Sequence, residues 1–553
     1  MALAKMREWE RKYTMATVVA LSGSVASGKT TLAKALEERW GGVIISTREV
    51  LAKRASERRV SLTNRRDFQE FGDLLDRETG GSWVAEASHA SKDTVESLII
   101  IDAVRIEQQV SALREIFGRS LVHVHLETSS REELANRYRK RRGSNAYFEE
   151  LGSYEEVLEN ETEALIANLG MHADVVIDTL RNTEKDLLVR CEARLGLLPS
   201  LTDPLADVLV GGQYGSEGKG NVSYYLAPEY HSLIRVGGPN AGHKVWHDGK
   251  SYTHRSLPSG ALSNPHADLI IGPGAVLNLS VLQNELQETG VDPGRVKIDP
   301  QVMVITDEDI AAEKDLRRAI QSTGQGAGAA AARRITGRGE PRAQLAKDLP
   351  EFASFLHPTA DLLHEAFKQG NRVLVEGTQG TGLSLYHGTY PYVTSRDTTV
   401  AGALAEVGIG PRRVRRAIMV ARTYPIRVNG ASGPIGNGNE LTWDEIEARS
   451  GVEGTEVTEL SSVGKKQRRV AEFDWAMLRR SAELNSATDI ALTFADYISS
   501  HNASAYRYEQ LSPATLQFVE EVESVTGASV SLIATSFSDR NIIDRRTWRS
   551  GRK

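Results

Sequence analysis

Gly211-Gly-Gln-Tyr-Gly-Ser-Glu-Gly-Lys-Gly220 follows the apolar run Val208-Leu209-Val210. The run reads as a short buried strand. A glycine-rich turn directly after a buried strand lets backbone N–H groups approach phosphate oxygens with no Cβ in the way. Lys219 stands where a point charge meets those oxygens, and Gly218, Lys219 and Gly220 open a helix whose N-terminal dipole faces them. Taken alone, such a turn also serves as a plain connector. The stretches that follow give it weight: Arg235-Val-Gly-Gly-Pro-Asn-Ala-Gly-His243, Ser259-Gly260, Ile271-Gly-Pro-Gly-Ala-Val276, Val375-Glu-Gly-Thr-Gln-Gly-Thr381 and His387-Gly-Thr-Tyr-Pro-Tyr-Val-Thr-Ser395.

This ordered set resembles the adenylosuccinate synthetase family from about Asp207 onward. The resemblance implies a ligase that joins L-aspartate to C6 of a purine nucleotide through a 6-phosphoryl intermediate, with Mg²⁺ and a nucleoside triphosphate. It implies catalytic roles for position 216, Lys219, His243 and Gln379, the glutamine lying against the base. It implies nucleotide contacts from Gly215, Glu217, Gly218, Gly220, Asn240 and Thr394, and a Mg²⁺ contact from the Gly242 carbonyl. Ser322-Thr323-Gly324-Gln325-Gly326 resembles the loop that holds the acceptor 5′-phosphate, with Gln325 replacing a cation. Arg333 and Arg334 both fall near the arginine that the family donates across a two-fold dimer interface, so a homodimer is implied. Ser461-Ser-Val-Gly-Lys-Lys-Gln-Arg-Arg469 aligns loosely with the aspartate loop, with Ser462, Lys466 and Arg468 as contacts and Arg469 as a further cation. A dicarboxylate is best met by bidentate arginine.

Two departures bear on the substrates. The family carries Asp where this chain has Ser216, and a serine hydroxyl is a poor base near neutral pH. The shorter, uncharged side chain opens space beside the purine 2-position, where an exocyclic amino group could donate to the hydroxyl. A phage-associated branch of the family resembles this chain in Gly-Ser-Glu-Gly-Lys-Gly, and it uses dGMP, ATP or dATP, and aspartate to make the precursor of 2-aminoadenine deoxynucleotides. The guanine motif Lys-x-Asp appears here as Phe494-Ala-Asp496, and Ser-Thr-Gly-Pro as Ala534-Thr-Ser-Phe537. Asp496 survives and the lysine does not, which favours ATP or dATP over GTP as donor. The alternatives left open are IMP or dIMP as acceptor, and a catalytically dead domain that senses nucleotides for the first domain.

That first domain carries its own phosphate site. Thr17-Val-Val-Ala-Leu-Ser22 reads as a strand, Gly23-Ser-Val-Ala-Ser-Gly28-Lys29-Thr30 as a P-loop, and Thr31 to Arg39 as a helix. Gly23 and Gly28 expose backbone N–H groups, Lys29 reaches the outer phosphates, Thr30 can ligate Mg²⁺, and Thr31 continues the helix start. Val43 to Ser46, Leu98 to Arg105 and Leu121 to Leu126 read as further strands. The order resembles small P-loop nucleoside-monophosphate kinases, which implies acceptor or Mg²⁺ roles for Arg48, Asp102 and Arg105 and lid roles for Arg137 and Arg141.

The expected fold is α/β: a P-loop kinase parallel sheet with flanking helices over 1–194, a linker over 195–204 bearing Pro199 and Pro204, and a ligase domain with a central sheet over 205–553. The 553 residues, 40% hydrophobic and 25% charged, suit two or three packed domains. A net charge of -6 gives no basic footprint for nucleic acid, and the basic tail Arg545, Arg546, Arg549, Arg552 and Lys553 reads as a solvated end. The lone Cys191 precludes an intrachain disulfide and a cysteine-rich metal site. The charged N-terminal stretch lacks the apolar core of a secretory signal, and no apolar run is long enough to span a bilayer. A cytoplasmic enzyme without a membrane partner is expected.

Overall fold

The structure, a computed structural model, describes residues 17–90, 98–142, 153–198, 201–339, 342–451, 458–460, 467–536 and 541–547, with Arg141 and Arg142 described by backbone alone. It divides into two compact units, Met1–Leu198 and Pro199–Lys553.

In the first unit, five strands form a parallel sheet in the order Val43–Ser46, Leu98–Asp102, Thr17–Gly23, Leu121–Glu127, Val175–Asp178. The run Leu98-Ile-Ile-Ile101 is buried throughout because helices cover both faces. Ile99 and Ile101 face one cluster with Phe71, Trp83 and Leu113, while Leu98 and Ile100 face another with Leu32, Leu36 and Cys191. This is the two-residue alternation of a strand. The strand stops at Asp102 rather than reaching Arg105, where its partner Ser46 is the last residue of one neighbouring strand. Gly28, at φ 97°, turns the P-loop into the helix Lys29–Trp40.

The second unit is built on nine strands in the order Val296–Ile298, Asp268–Ile271, Ser232–Arg235, Val373–Glu376, Ala206–Gly211, Val414–Arg422, Asp489–Thr493, Ser529–Ala534, Ile542–Asp544. All pairings are parallel except the last. Val208 and Val210 pack into one core and Leu209 into the core on the opposite face. Five adjacent strands end in Arg235, Glu376, Gly211, Arg422 and Thr493. Their carboxyl ends therefore lie side by side at one edge, where open parallel sheets place their ligands.

The basic tail departs from the solvated end expected of it. Arg546 is 7% exposed and pairs with Asp544 and Glu229, and Arg545 pairs with Glu523. The short strand Ile542–Asp544 draws both arginines onto the sheet edge. Arg549, Arg552 and Lys553 lie outside the described residues. Among the described residues no helix is long and apolar enough to cross a membrane.

Candidate functional site

The glycine-rich turn is held from inside by Glu217, which is fully buried. Its Oε1 accepts from the backbone N–H groups of Gln213 (3.1 Å) and Gly215 (2.8 Å), and its Oε2 accepts from Lys219 Nζ at 2.5 Å. A Cβ on Gly380 would meet Glu217 Oε1 at 2.3 Å, so the second glycine-bearing stretch closes over the same carboxylate. Glu217 thus acts as a staple for the loop, and Lys219 stays in a site 2% exposed. Ser216 at the tip is exposed, with φ 58°. Its carbonyl accepts from Arg422 Nη1 at 3.0 Å. Gln379 also has positive φ, 55°, and its Oε1 is buried without a protein partner. A buried amide oxygen left unpaired is costly unless a ligand meets it.

His243 begins a two-stranded hairpin, His243–His247 with Lys250–His254. It reaches the loop helix Lys219–Leu226 because Gly220 has no side chain: a Cβ there would meet His243 Cβ at 2.9 Å. Glu376 gathers the surroundings. Its Oε1 accepts from His243 Nδ1, from Arg235 Nη1 at 2.6 Å and from Ser259 Oγ at 2.5 Å. Its Oε2 accepts from the Ser259 N–H (2.8 Å) and Ser223 Oγ (2.9 Å). Burial alone would raise the carboxyl pKa, but the Arg235 guanidinium and His243 outweigh it and hold Glu376 well below the usual carboxylate range. An ionised Glu376 only accepts, so Nδ1 of His243 carries its proton and Nε2 is left for chemistry. Burial, then the Arg235 charge, lower the His243 pKa to about 3 against the pull of Glu376, so the resting imidazole is neutral. Arg235, Glu376, Ser223 and Ser259 have no assigned role in the sequence reading. Their one sequence signal is position, since Arg235 and Glu376 each close a strand beside the glycine loop.

The segment Ser322–Gly326, expected to hold the acceptor phosphate, is ordered by its own contacts. Ser322 Oγ accepts from the Gly324 N–H at 3.3 Å, and Thr323 Oγ1 is buried without a protein partner. At Gln325, which stands where the family resemblance expects a cation, Arg255 Nη2 donates to Oε1 at 2.5 Å, and Arg255 Nε donates to the Pro239 carbonyl at 3.1 Å. Thr394 is fixed through its N–H to the Leu383 carbonyl at 2.8 Å. Arg333 pairs with Asp309, and Arg334 donates to the carbonyls of Pro273 and Gln301. Both are braced within their own chain.

Of the residues expected to contact aspartate, Ser462 and Lys466 lie outside the described residues. Arg468 and Arg469 occupy neighbouring places in the strand Arg468–Ala471 and so point to opposite faces. Arg469 is committed to Glu440 and the Gly433 carbonyl. Arg468, whose pKa burial lowers, sits near Arg422 and Glu459 instead. At the donor-base end, Phe494 packs on the loop: a Cβ on Gly218 would lie 3.7 Å from its ring. A small cleft is lined by Gly218, Asn221, Thr493, Phe494, Ala534 and Ser536. Asp496 has a buried Oδ1 without a partner, and burial raises its pKa to about 6.

For Mg²⁺, Asn240 Oδ1 beside Gly242 is buried and unpaired, and oxygen donors are what the ion takes. Among the described residues no cluster of three His, Cys, Asp or Glu forms a metal cage. Mg²⁺ held mostly by phosphates and water needs none.

In the first unit, Lys29 Nζ donates to the carbonyls of Gly23 (2.7 Å) and Ser24 (2.8 Å), closing the P-loop on itself. Burial lowers its pKa to about 8. Thr30 Oγ1 donates to Asp102 Oδ2 at 2.8 Å, a hydroxyl–carboxylate pair that fits Mg²⁺. Thr31 is exposed on the first helical turn. Arg48 stacks on Phe68 with its guanidinium carbon 4.9 Å from the ring centroid, and Arg105 Nη1 pairs with Glu163 at 2.5 Å. Arg137 donates to Glu133 and Thr179.

Glycine loop, buried lysine, neutral histidine and strand-end acids define a phosphate-handling α/β enzyme. Residues 208–350 and 340–503 match the adenylosuccinate synthetase family, and residues 19–164 match an AAA domain family. An adenylosuccinate synthetase of Methanosphaera stadtmanae is 37% identical over 347 residues, covering 61% of this chain and 97% of the relative. That of Pyrococcus horikoshii is 38% identical over 347 residues, covering 61% and 98%. Among solved structures, cyanophage S-2L succinoaminodeoxyadenylate synthetase bound to dGMP and dATP matches with TM-score 0.52 and 27% identity over 62% of this chain and 96% of that one. The fully ligated Plasmodium falciparum adenylosuccinate synthetase, 19% identical with TM-score 0.54 over 62% and 100%, shares the fold.

The chain belongs to the adenylosuccinate synthetase family, as a ligase fused behind a P-loop kinase-like domain.

Proposed function

We propose that the second unit ligates L-aspartate to C6 of dGMP with ATP or dATP as donor. Purine O6 forms a bond to the γ-phosphorus as the bond to the β-bridging oxygen breaks, releasing the nucleoside diphosphate. The aspartate amino nitrogen then bonds to C6 as phosphate leaves, giving N6-succino-2-amino-2′-deoxyadenylate. Lys219 and the loop N–H groups bear on the transferring phosphoryl group. The proton that purine N1 gives up as O6 attacks is taken up at His243 Nε2, neutral at rest, which then donates to the phosphate charge. When bound, Mg²⁺ neutralises phosphate charge, with Asn240, the Gly242 carbonyl, Thr30 and Asp102 as the residues to hold it in the two sites. Ser322, Thr323, Thr394 and Arg255 hold the acceptor phosphate, Arg468 and the loop bearing Ser462 and Lys466 hold aspartate, and a two-fold dimer completes the site through Arg333 or Arg334.

The observation that carries dGMP over IMP is Ser216. It sits exposed at the loop tip with φ 58°, next to Gly215, whose Cβ position lies 3.6 Å from Gln379 Cα, and offers a small hydroxyl where the family has a carboxylate. The dGMP and dATP complex of the cyanophage relative supports the same substrates. One observation favours IMP instead: archaeal adenylosuccinate synthetases share 37–38% identity with this chain, against 27% for the phage enzyme.

Phosphate release with ATP and aspartate, read with dGMP and IMP in parallel, decides between them. The proposal expects dGMP to be preferred, and Ser216→Asp to lose dGMP turnover. Asp tolerates a left-handed backbone, so the variant should fold. Turnover of IMP equal to that of dGMP in the wild type would overturn the assignment.

The first unit, over 1–194 with a linker at 195–204, is proposed to phosphorylate a nucleoside monophosphate. The support is a P-loop whose Lys29, Thr30 and Asp102 stand together.

A further inference from the structure

The first unit holds an open cleft lined by Thr47, Arg48, Gln69 and Arg105 among others. One face of the helix Arg65–Thr79 forms its wall: Arg65, Phe68, Gly72, Asp73 and Asp76 all line it. Their spacing of 3, 7, 8 and 11 residues from Arg65 is that of a single helical stripe. At ~1.5 Å per residue the stripe runs about 16 Å from Arg65 to Asp76.

The two ends of the stripe differ in chemistry. At one end, Arg65 and Arg105 flank the buried Glu163 at 3.6 and 2.5 Å. Both lie close enough to Lys29 for their charges to act on it, so this end faces the transferred phosphate. At the other end are two carboxylates. Asp76 accepts from Trp83 Nε1 at 2.7 Å and from Gln109 Nε2 at 2.9 Å. Asp73 accepts from Asn160 Nδ2 at 3.0 Å and Thr162 Oγ1 at 2.8 Å. Those four donors are turned toward the carboxylates, and Gln69, also in the lining, adds a buried Nε2 donor without a protein partner. Each carboxylate has about four lone-pair sites, so at this end of the stripe acceptor sites on Asp73 and Asp76 remain on offer to a ligand. Between the ends, Phe68 presents a flat ring, and Gly72 leaves the path clear. A Cβ on Gly72 would make only ordinary contact with Leu51 at 3.7 Å, so packing does not demand a residue that costs a helix about 1 kcal/mol.

We infer that this cleft selects a nucleoside monophosphate whose base presents a donor edge, a 2-amino purine of the guanine or 2-aminoadenine kind, with Arg65 and Arg105 at its phosphate and Asp73 and Asp76 at its amino groups. The inference rests on the kinase reading above. An acceptor phosphate oxygen bonds to the γ-phosphorus as the bond to the β-bridging oxygen breaks, so a triphosphate and a monophosphate yield two diphosphates. A thymine or uracil offers one N–H, at N3, flanked by two carbonyls whose lone pairs would face the carboxylates, and a site built for amino donors disfavours a base that sets acceptors against it. A compact sugar acid, with its charge and hydroxyls a few bonds apart, does not reach both ends.

The test uses the full-length protein with ATP, no aspartate, and dGMP, 2-aminoadenine deoxynucleoside monophosphate, dCMP and dTMP in turn, scored by deoxynucleoside diphosphate on anion exchange. A kcat/KM at least 100-fold higher for the 2-amino purines than for dTMP and dCMP is expected. Asp76→Asn and Asp73→Asn should each cut that ratio at least tenfold. Because Asp76 also holds Trp83, thermal melting of both variants accompanies the assay, and Asp73→Asn carries the test if Asp76→Asn does not fold. Equal turnover of dTMP or dCMP overturns the base assignment alone. Absence of any diphosphate from all four overturns the kinase reading beneath it.

Discussion

The guanidinium of Arg422, fully buried at the end of its strand, donates to the Ser216 carbonyl at 3.0 Å and pairs with Glu459 at 2.5 Å. It also lies 4.0 Å from the Phe494 ring centroid, and Glu459 accepts from Tyr497 at 2.8 Å. One planar cation therefore braces the loop tip, the segment just before the aspartate loop and the donor-base end together. A lysine cannot serve that many partners from one point charge. Arg422→Lys is predicted to raise KM for acceptor and for aspartate together, each about tenfold, which corresponds to ~1.4 kcal/mol per site. Steady-state titration of each substrate checks this, and a rise in one KM alone would show that the sites are braced separately.

Glu376→Gln should strike kcat. The amide has one acceptor oxygen where Glu376 takes donors on both, and its NH2 opposes the Ser259 N–H or His243 Nδ1–H, so the imidazole loses its charged anchor; general acid–base contributions of this kind are worth about 10²–10⁴-fold. It also leaves the buried Arg235 without its counter-ion, which costs about 3–5 kcal/mol of stability. Parallel kinetics and urea unfolding separate the two losses. Unchanged kcat in the folded variant would remove Glu376 from the orientation of His243.

Arg255→Ala tests the replacement cation at the acceptor loop. KM for the purine monophosphate should rise about tenfold or more, the equivalent of ~1.4 kcal/mol, while KM for aspartate stays put. Isothermal titration with dGMP gives the same comparison without turnover.

Stability should fall with acid in both units. Burial lowers the pKa of His123 and of His125, which share the Ser22 hydroxyl at 2.7 and 2.8 Å, to about 4, and burial lowers that of His243 to about 3. An unfolded imidazole takes its proton near pH 6.5, so the unfolded chain binds more protons below that point. Stability is then fully present above about pH 6.5 and is lost progressively as pH falls toward 4 for the His123–His125 pair and toward 3 for His243. Urea midpoints at pH 7.5, 6 and 5 should decline in that order. His123→Gln should flatten the decline.

The two phosphate sites should fail separately. Lys29→Ala is predicted to abolish phosphoryl transfer to a monophosphate and leave aspartate ligation near wild type, and His243→Ala the reverse. Loss of ligation in Lys29→Ala, with purified acceptor and ATP supplied, would make the first unit part of the ligase mechanism.

Much of this protein is local in origin and so legible in sequence. A buried strand, a glycine turn and a helix start follow one another directly at Val208–Gly220, and again at Thr17–Thr30. Short-range backbone physics alone places phosphates at such turns. The serine at 216 is equally plain as a letter. Tertiary structure decided what lies far apart in the chain. Glu376 meets His243 and Arg235 across more than 130 residues, because parallel strands bring their carboxyl ends together whatever their order in sequence. Arg255 reaches Gln325 from a different loop, and no motif at either position announces the pairing. Arg468 and Arg469 look equivalent as letters, but the pleat sends them to opposite faces and leaves one near the site. Spacing along the chain carries periodicity and turn chemistry. Which distant charges neutralise each other is set by the packing of the sheet, which buries them and makes pairing obligatory.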